Sequence, residues 1–377
     1  MHPLARTPEE WSKDAVVLGG RAFHGKQIFR WLQARGVTDP AQMTDLPAAL
    51  REKLDVRMPA EISHEKRSTD STRKLLVRLH DGASVESVLI PELPRRRGFL
   101  PSPFEEAEAA QSDDEDEEDD DGPTRVTQCS STQVGCAMGC VFCASGVAGL
   151  KRNLEPEEIV AQVILGRSRL DENEQLRNVV YMGMGEPLAN YDATVRSVRL
   201  LTHPDGIGLS TRKVTISTSG LVPQIRKLGE DFDGQIGLAI SMHAADDETR
   251  TRLMPINKKY PLAELISALR AYPLPKRRRI TIEYTLVEGK NTSVDEAKKL
   301  VKLLRGIPVK VNLIPMNPIA ASTLGPPSMD GVLAFQKTIV QAGLSCFIRR
   351  QRGDDVAAAC GQLALAGAKP KVRVDRT

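Results

Sequence analysis

From Thr127 onward the chain alternates between short apolar runs and amphipathic stretches, and this limits the fold more than any other feature. Strand-like runs fall at Asn178–Met182, Lys213–Thr218, Gln235–Ser241, Arg279–Val287, Val309–Ile314 and Ser345–Arg349. Helical periodicity fills the gaps at Pro156–Arg169, Tyr191–Leu201, Val222–Leu228, Pro261–Ala271, Val294–Leu304 and Met329–Ala342. About six β/α units in succession predict an α/β fold, with a parallel sheet and helices outside it. The expected form is a partial (β/α)6 TIM-like barrel, in which chemistry gathers at the C-terminal ends of the strands.

The segment before the series reads differently. Residues 1–65 have helical character: apolar Ile28, Phe29, Trp31 and Leu32 sit in Ala22–Gly36, and a second helix is expected at Pro47–Leu54 after Thr44-Asp45. Residues 66–91 predict a β-hairpin, because Asp81-Gly82 separates the runs Arg73–His80 and Val85–Ile90. Glu86 lies among apolar neighbours on the second run, and on sequence alone its carboxylate faces water. Residues 125–377 then form the core domain.

Residues 92–124 are rich in proline and acid, and read as a disordered insertion. Between Glu105 and Asp121 stand twelve acidic residues and no basic one, so the net charge of +3 becomes +15 once those twelve are set aside. A body that basic suits a polyanion, because Lys and Arg that neutralise phosphates release condensed counterions. Candidate phosphate contacts are Arg95-Arg96-Arg97, Lys151-Arg152, Lys276–Arg279 and Arg349-Arg350-Arg352. The start of the sequence has no apolar run of the signal-peptide kind, and no stretch approaches the roughly 20 apolar residues of a membrane span. The expectation is a soluble, cytoplasmic protein with reduced thiols.

Chemistry concentrates in Gly135–Cys143, where Cys136, Cys140 and Cys143 stand in C-x3-C-x2-C spacing. Three thiolates on one tight loop can hold three corners of an iron–sulfur cube and leave the fourth iron open. A zinc site that adds Cys129 is the alternative, since structural zinc takes four ligands. Polar residues mark the expected strand ends: Gly183–Pro187, Ser217–Gly220, Ser241–His243 and Pro315–Pro318. Each could be an ordinary turn; together they form a polar ring at one barrel mouth.

C-x3-C-x-F-C ahead of a β/α series resembles the signature of radical S-adenosylmethionine enzymes. The wider set TQVGCAMGCVFCASG, VVYMGMGEPLANY, KVTISTSGLVPQI, LAISMHAADDETRTRLMPIN, VNLIPMNP and RRQRGDDVAAACGQL is similar to the ribosomal RNA adenine-C2 methyltransferases, the RlmN group. The Cfr-type adenine-C8 methylases share most of these motifs, and RAFHGKQIFRWL resembles the group's helical accessory domain.

The resemblance implies that Cys136, Cys140 and Cys143 hold a [4Fe-4S] cluster whose open iron binds S-adenosylmethionine. It puts Gly185, Glu186, Ser217, Ser241, Met242, His243 and Asn317 at the positions that bind that cofactor. It makes Cys360 the cysteine that becomes methylated, Cys129 its redox partner through a disulfide, and Glu86 the proton acceptor. Adenine C2 is electron-poor, so a methylene radical carried on Cys360, rather than an electrophilic methyl, is the species implied to add there. The implied partners are ribosomal RNA, transfer RNA as a second candidate, and an electron donor such as flavodoxin or ferredoxin. Cys346 matches no such role and reads as a buried structural thiol. The rivals are C8 methylation by the same machinery, a radical enzyme with another substrate, and a non-enzymatic metal- and RNA-binding module.

The acidic run has two readings, solvation and an RNA mimic over the basic surface. Solvation predicts that deleting Glu105–Asp121 leaves RNA affinity at fixed salt unchanged; a rise on deletion would identify the mimic.

Overall fold

A computed structural model of the chain describes residues 1–92, 122–319, 322–349 and 352–363. The acidic run Glu105–Asp121, together with Arg95-Arg96-Arg97 and Arg350, lies outside the described residues.

The amino-terminal helices form because each has a start signal and an apolar face. Helix Pro8–Val17 opens with a capping box, in which Thr7 N–H donates to Glu10 Oε2 at 2.7 Å and Glu10 N–H to Thr7 Oγ1. Helix Ala22–Phe29 crosses it at backbone contact: a Cβ on Gly25 would lie 2.2 Å from Ser12 N, so only glycine fits there. The expected helix 22–36 continues as a π-helical turn, Arg30–Ala34, and buries Ile28, Phe29, Trp31 and Leu32. The second expected helix is a single turn, Ala48–Arg51.

Among the described residues ten strands make one open sheet, in the order β1-β2-β3-β4-β7-β8-β9-β10-β11-β12. In chain order they are β1 (Ala60–Arg67), β2 (Arg73–Leu79), β3 (Ser84–Pro91), β4 (Thr124–Cys129), β7 (Glu174–Tyr181), β8 (Val214–Thr218), β9 (Gly237–Ser241), β10 (Ile280–Leu286), β11 (Val309–Pro315) and β12 (Ser345–Ile348). A separate pair, β5 (Gln133–Val134) and β6 (Arg152–Asn153), is antiparallel. β1 to β4 pair antiparallel, and every pair from β4 to β12 is parallel.

Two expectations are corrected. Residues 60–65, read as helical, belong to strand β1, which extends the hairpin to three strands. The first parallel strand is β4, not Asn178–Met182, so the cysteine loop follows the first strand and the Gly183 turn ends the second. A helix also stands at Asp247–Leu253, where none was expected. The remaining strands and helices lie at their expected places within a few residues.

Where the insertion leaves the fold, its two ends are paired. Pro91 is in register with Val126, and Glu92 N–H donates to Arg125 O at 2.7 Å. The β3–β4 pairing therefore sets Glu86 and Cys129 relative to each other whatever the chain between them does.

A buried ion pair joins the antiparallel extension to the parallel sheet. Arg73 of β2, 1% exposed, meets Glu174 of β7 at 2.5 Å and donates to Arg169 O at 2.7 Å. Removing one partner of such a pair strands the other charge without solvent, at roughly 3–5 kcal/mol. Arg73→Met is expected to lower the free energy of unfolding by that order in denaturant titration; a loss below about 1 kcal/mol would contradict the assignment.

Candidate active site

The cysteine loop is pinned at its base before it reaches the site. Val134 and Gln133 pair with Arg152 and Asn153, and Lys151 N–H donates to Val134 O at 2.8 Å. Arg152, expected as a phosphate contact, is instead held by both Glu158 oxygens at 2.8 and 2.9 Å and by Asp81 at 2.7 Å. The three thiols then line a cavity of about 150 Å³. Burial pushes all three thiol pKa values up; coordination would reverse this, because a metal deprotonates its thiol ligands outright. Cys129 lines a different cavity and its electrostatic neighbour is Cys360, so it does not complete a zinc cage with the loop. Three separate thiols round one chamber are a donor set that fits an iron–sulfur cube with one open corner.

Strand ends supply the rest of the chamber. Gly183, Gly185, Glu186, Ser217, Ser219, Ser241, His243, Glu283, Asn317, Arg349 and Cys360 all line it. Gly185 has φ +106 and packs so closely on Gln133 that a Cβ would lie 2.6 Å from the Gln133 Cβ; the tight turn brings backbone up to the cavity. Glu186 is buried and accepts from Ser219 N–H at 2.7 Å and Leu188 N–H at 3.0 Å. Burial raises its pKa and these donors oppose the rise.

His243 sits at φ +56, its ring edge-to-face with Phe142 at 4.8 Å. Its Nδ1 accepts from Thr285 N–H at 2.8 Å, which leaves the proton on Nε2. Arg250, fully buried, ties the β8 and β9 ends together by donating to Ser219 O at 2.7 Å and Met242 O at 3.1 Å. Met242 itself is fully buried and does not line the chamber; it contributes backbone, donating its N–H to Glu283 O at 3.0 Å.

Cys360 stands at a boundary. A second, larger cavity of about 580 Å³ is lined by Val88, Ile90, Cys129, Cys346 and Arg352 among others. Cys360, Arg349, Asn317, Met182, Ile314 and Met316 line both cavities. The cluster-loop cysteines line only the smaller cavity and Cys129 only the larger. All six cysteines are free thiols in this structure. Burial, and then the charge of Cys360, push the Cys129 thiol up to about 12.

The Cys360 loop is anchored on several sides. Asn317 Nδ2 donates to Cys360 O at 2.9 Å, and Ala144 N–H to Gly361 O at 2.8 Å. Asp70, in the β1–β2 turn, accepts from Arg352 Nε at 2.8 Å and Gly353 N–H at 3.0 Å. Glu86 is 7% exposed rather than facing water, and it pairs with Lys74 at 3.1 Å. Lys74 also donates to Ala357 O at 3.1 Å, which links Glu86 to the Cys360 loop. Glu86 lines neither cavity, although Val88 and Ile90 on the same face of β3 line the larger one. Cys346 is fully buried, as expected of a structural thiol. Glu283, Arg349 as a cavity residue and Arg250 were not legible as site residues in the sequence.

Residues 130–311 match the Radical SAM superfamily model, and fold and site together define a radical S-adenosylmethionine enzyme. Residues 9–59 match the model of the ribosomal RNA large subunit methyltransferase N-terminal domain. The dual-specificity RNA methyltransferase RlmN of Sorangium cellulosum is 64% identical, over 99% of this chain and 98% of its own length. That of Syntrophobacter fumaroxidans is 43% identical over 94% of each. The crystal structure of a radical SAM methyltransferase from Sphaerobacter thermophilus superposes with TM-score 0.83 at 39% identity, covering 96% of this chain and 99% of that one. The chain belongs to the RlmN family of RNA methyltransferases, whose cofactors are a [4Fe-4S] cluster and S-adenosylmethionine.

Burial, and secondarily the Arg250 charge, pull the His243 pKa down to about 3. The ring therefore stays neutral in the fold while the unfolded side chain protonates near 6.5, so its contribution to stability is present above pH 6.5 and lost as pH falls toward 3. Binding of S-adenosylhomocysteine to the reconstituted protein is expected to show no histidine step between pH 5 and 8. A step near pH 6.5 that vanishes in His243→Gln would contradict this.

Proposed function

We propose that the protein methylates C2 of an adenine in 23S ribosomal RNA, and of a transfer RNA as second substrate, through a methylated Cys360. The position of Cys360 in the wall between two cavities carries the reading. One side holds the three-cysteine loop and the polar strand ends, and the other is a larger, mostly apolar chamber with Cys129 on its wall. A sulfur that must take a methyl group on one side and deliver carbon on the other needs that location.

When bound, the cluster and S-adenosylmethionine supply the methyl group and the one-electron chemistry that makes its carbon reactive. Cys136, Cys140 and Cys143 hold the cluster; Gly185, Glu186, Ser217, Ser241, His243 and Asn317 hold the cofactor, with Met242 acting through its backbone. The Cys360 thiolate attacks the methyl carbon, so that a new S–C bond forms as the sulfonium S–C bond breaks. Arg349, which lines both cavities with Cys360, is the cation beside that sulfur.

With one hydrogen atom of that methyl removed by the one-electron chemistry the bound cofactors would supply, the carbon on Cys360 would bond to C2 of a base admitted to the larger chamber, which requires an exposed or extruded adenine. The unpaired electron would return to the same one-electron system once the C2 proton has left. Glu86, on the β3 face whose Val88 and Ile90 line that chamber, takes the C2 proton by way of a bridging water, since it lines neither cavity itself, and Lys74 holds its carboxylate. Finally Cys129 sulfur bonds to Cys360 sulfur as the S–C bond to the methylated base breaks. Burial holds the Cys129 thiol neutral, so it gives up its proton as it attacks, and the released carbon takes up a proton to complete the methyl group. The electron donor is a low-potential carrier such as flavodoxin or ferredoxin, and the compartment is the cytoplasm. Among the described residues no helix is long and apolar enough to cross a membrane.

Anaerobic reconstitution followed by nucleoside analysis of ribosomal RNA tests the assignment. Wild type should yield 2-methyladenosine. Cys360→Ala should yield none while keeping its iron and sulfide, and Cys129→Ala should accumulate RNA covalently attached to protein. Appearance of 8-methyladenosine alone would overturn the C2 assignment, and turnover by Cys360→Ala would overturn the cysteine-borne methyl.

A further inference from the structure

Glu283 is a buried carboxylate that the proposed chemistry does not use. It lies inside the barrel on β10, in register with Ser241 of β9 and Asn312 of β11, and lines the smaller cavity. It is 4% exposed. Oε1 accepts from Asn312 Nδ2 at 3.1 Å, whereas Oε2 is buried without a hydrogen-bond partner among the described residues. Leaving a buried carboxylate oxygen unpaired is costly, so an unpaired Oε2 at a cavity wall marks a place where a ligand donor completes the group.

The ligand of this cavity, on the family assignment, is S-adenosylmethionine. Its hydrogen-bond donors are the α-amino group, the adenine amino group and the two ribose hydroxyls. The amino acid end belongs to the open iron beside the cysteine loop. The sulfonium must face Cys360 for the methyl to be handed over, and the ribose is joined to that sulfur through C5′. Glu283 shares the smaller cavity with Cys360 and Arg349, yet Arg349 makes no ion pair with Glu283 that would use up Oε2. The adenine amino group lies at the far end of the nucleoside from that sulfur.

We infer that Glu283 is a further cofactor-binding residue whose Oε2 accepts a hydrogen bond from a ribose hydroxyl of S-adenosylmethionine. The inference rests on the proposed site for that cofactor. It makes the floor of the chamber selective for a ribonucleoside, and fixes the sugar against β10 while the sulfonium addresses Cys360.

The test uses binding rather than turnover. S-adenosylhomocysteine and its 2′-deoxy and 3′-deoxy analogues are titrated by equilibrium dialysis against the anaerobically reconstituted protein. S-adenosylhomocysteine carries no sulfonium charge, so simple attraction between carboxylate and cation does not enter. Wild type should bind one of the deoxy analogues about tenfold or more weakly than the parent, the size set by leaving a buried hydrogen-bonding oxygen without its partner. In Glu283→Ala that discrimination should fall to near unity, and Glu283→Gln, which keeps the Asn312 contact, should lie between. Equal affinity of wild type for all three compounds would overturn the inference even if no variant folds. Discrimination that persists undiminished in both variants would also overturn it, by assigning the hydroxyl to another group. Failure of wild type to bind S-adenosylhomocysteine at all would overturn the cofactor site itself and the inference with it.

Discussion

Parallel pairing from β4 to β12 is the constraint on which the site depends. Parallel strands deliver all their carboxyl ends to one edge, and the polar groups of the smaller chamber hang from that edge, from the loop after β4 or, for Cys360, from the loop that follows β12. The ends would splay without a cross-tie, and the fully buried Arg250 supplies one by bonding to carbonyls of two neighbouring strand ends at once. The barrel is open at its sides, and its β4 edge is continued by the antiparallel strands β3, β2 and β1. That continuation carries Glu86, Lys74 and Asp70 round to meet the Cys360 loop. The site is thus assembled from two sheet regions with opposite strand sense.

Exclusion of water does most of the electrostatic tuning. Glu186, Glu283, His243 and the thiols of Cys129, Cys136, Cys140 and Cys143 are each moved toward their neutral forms by burial first, with neighbours modifying the result. In such a place a fixed charge has long reach. Arg349, between the two cavities, therefore couples thiols that lie on different walls.

Much of the fold was legible because amphipathic helices announce themselves. Tyr191–Leu201 and Val294–Leu304 were placed to the residue, since each repeats apolar positions at helical spacing between clear start and stop signals. β4 was not seen as the first parallel strand, because Thr-Arg-Val-Thr-Gln-Cys has few apolar residues to mark it; its place is set by pairing on both sides. Asp247–Leu253 is short and mostly charged, so it carries no periodic signal. Within the site, the cysteine loop and the strand-end glycines could be read from spacing and type. Glu283 and Glu86 could not: a carboxylate in an alternating run looks solvent-facing until a second layer covers it. The roles of Cys129, Cys360 and Glu86 came from family resemblance, because residues so far apart in sequence share no local pattern.

The hydrogen-bonded closure of β3 on β4 at Glu92 and Arg125 has a practical side. The two chain ends that bound the acidic segment emerge side by side from a pairing that is complete without it. Closure entropy grows only slowly with the length of chain between fixed ends. The junction is therefore a natural graft point, where an affinity tag or a reporter domain can be spliced in place of the native segment while sheet register, and with it the placement of Glu86 relative to Cys129, is carried by the strands alone.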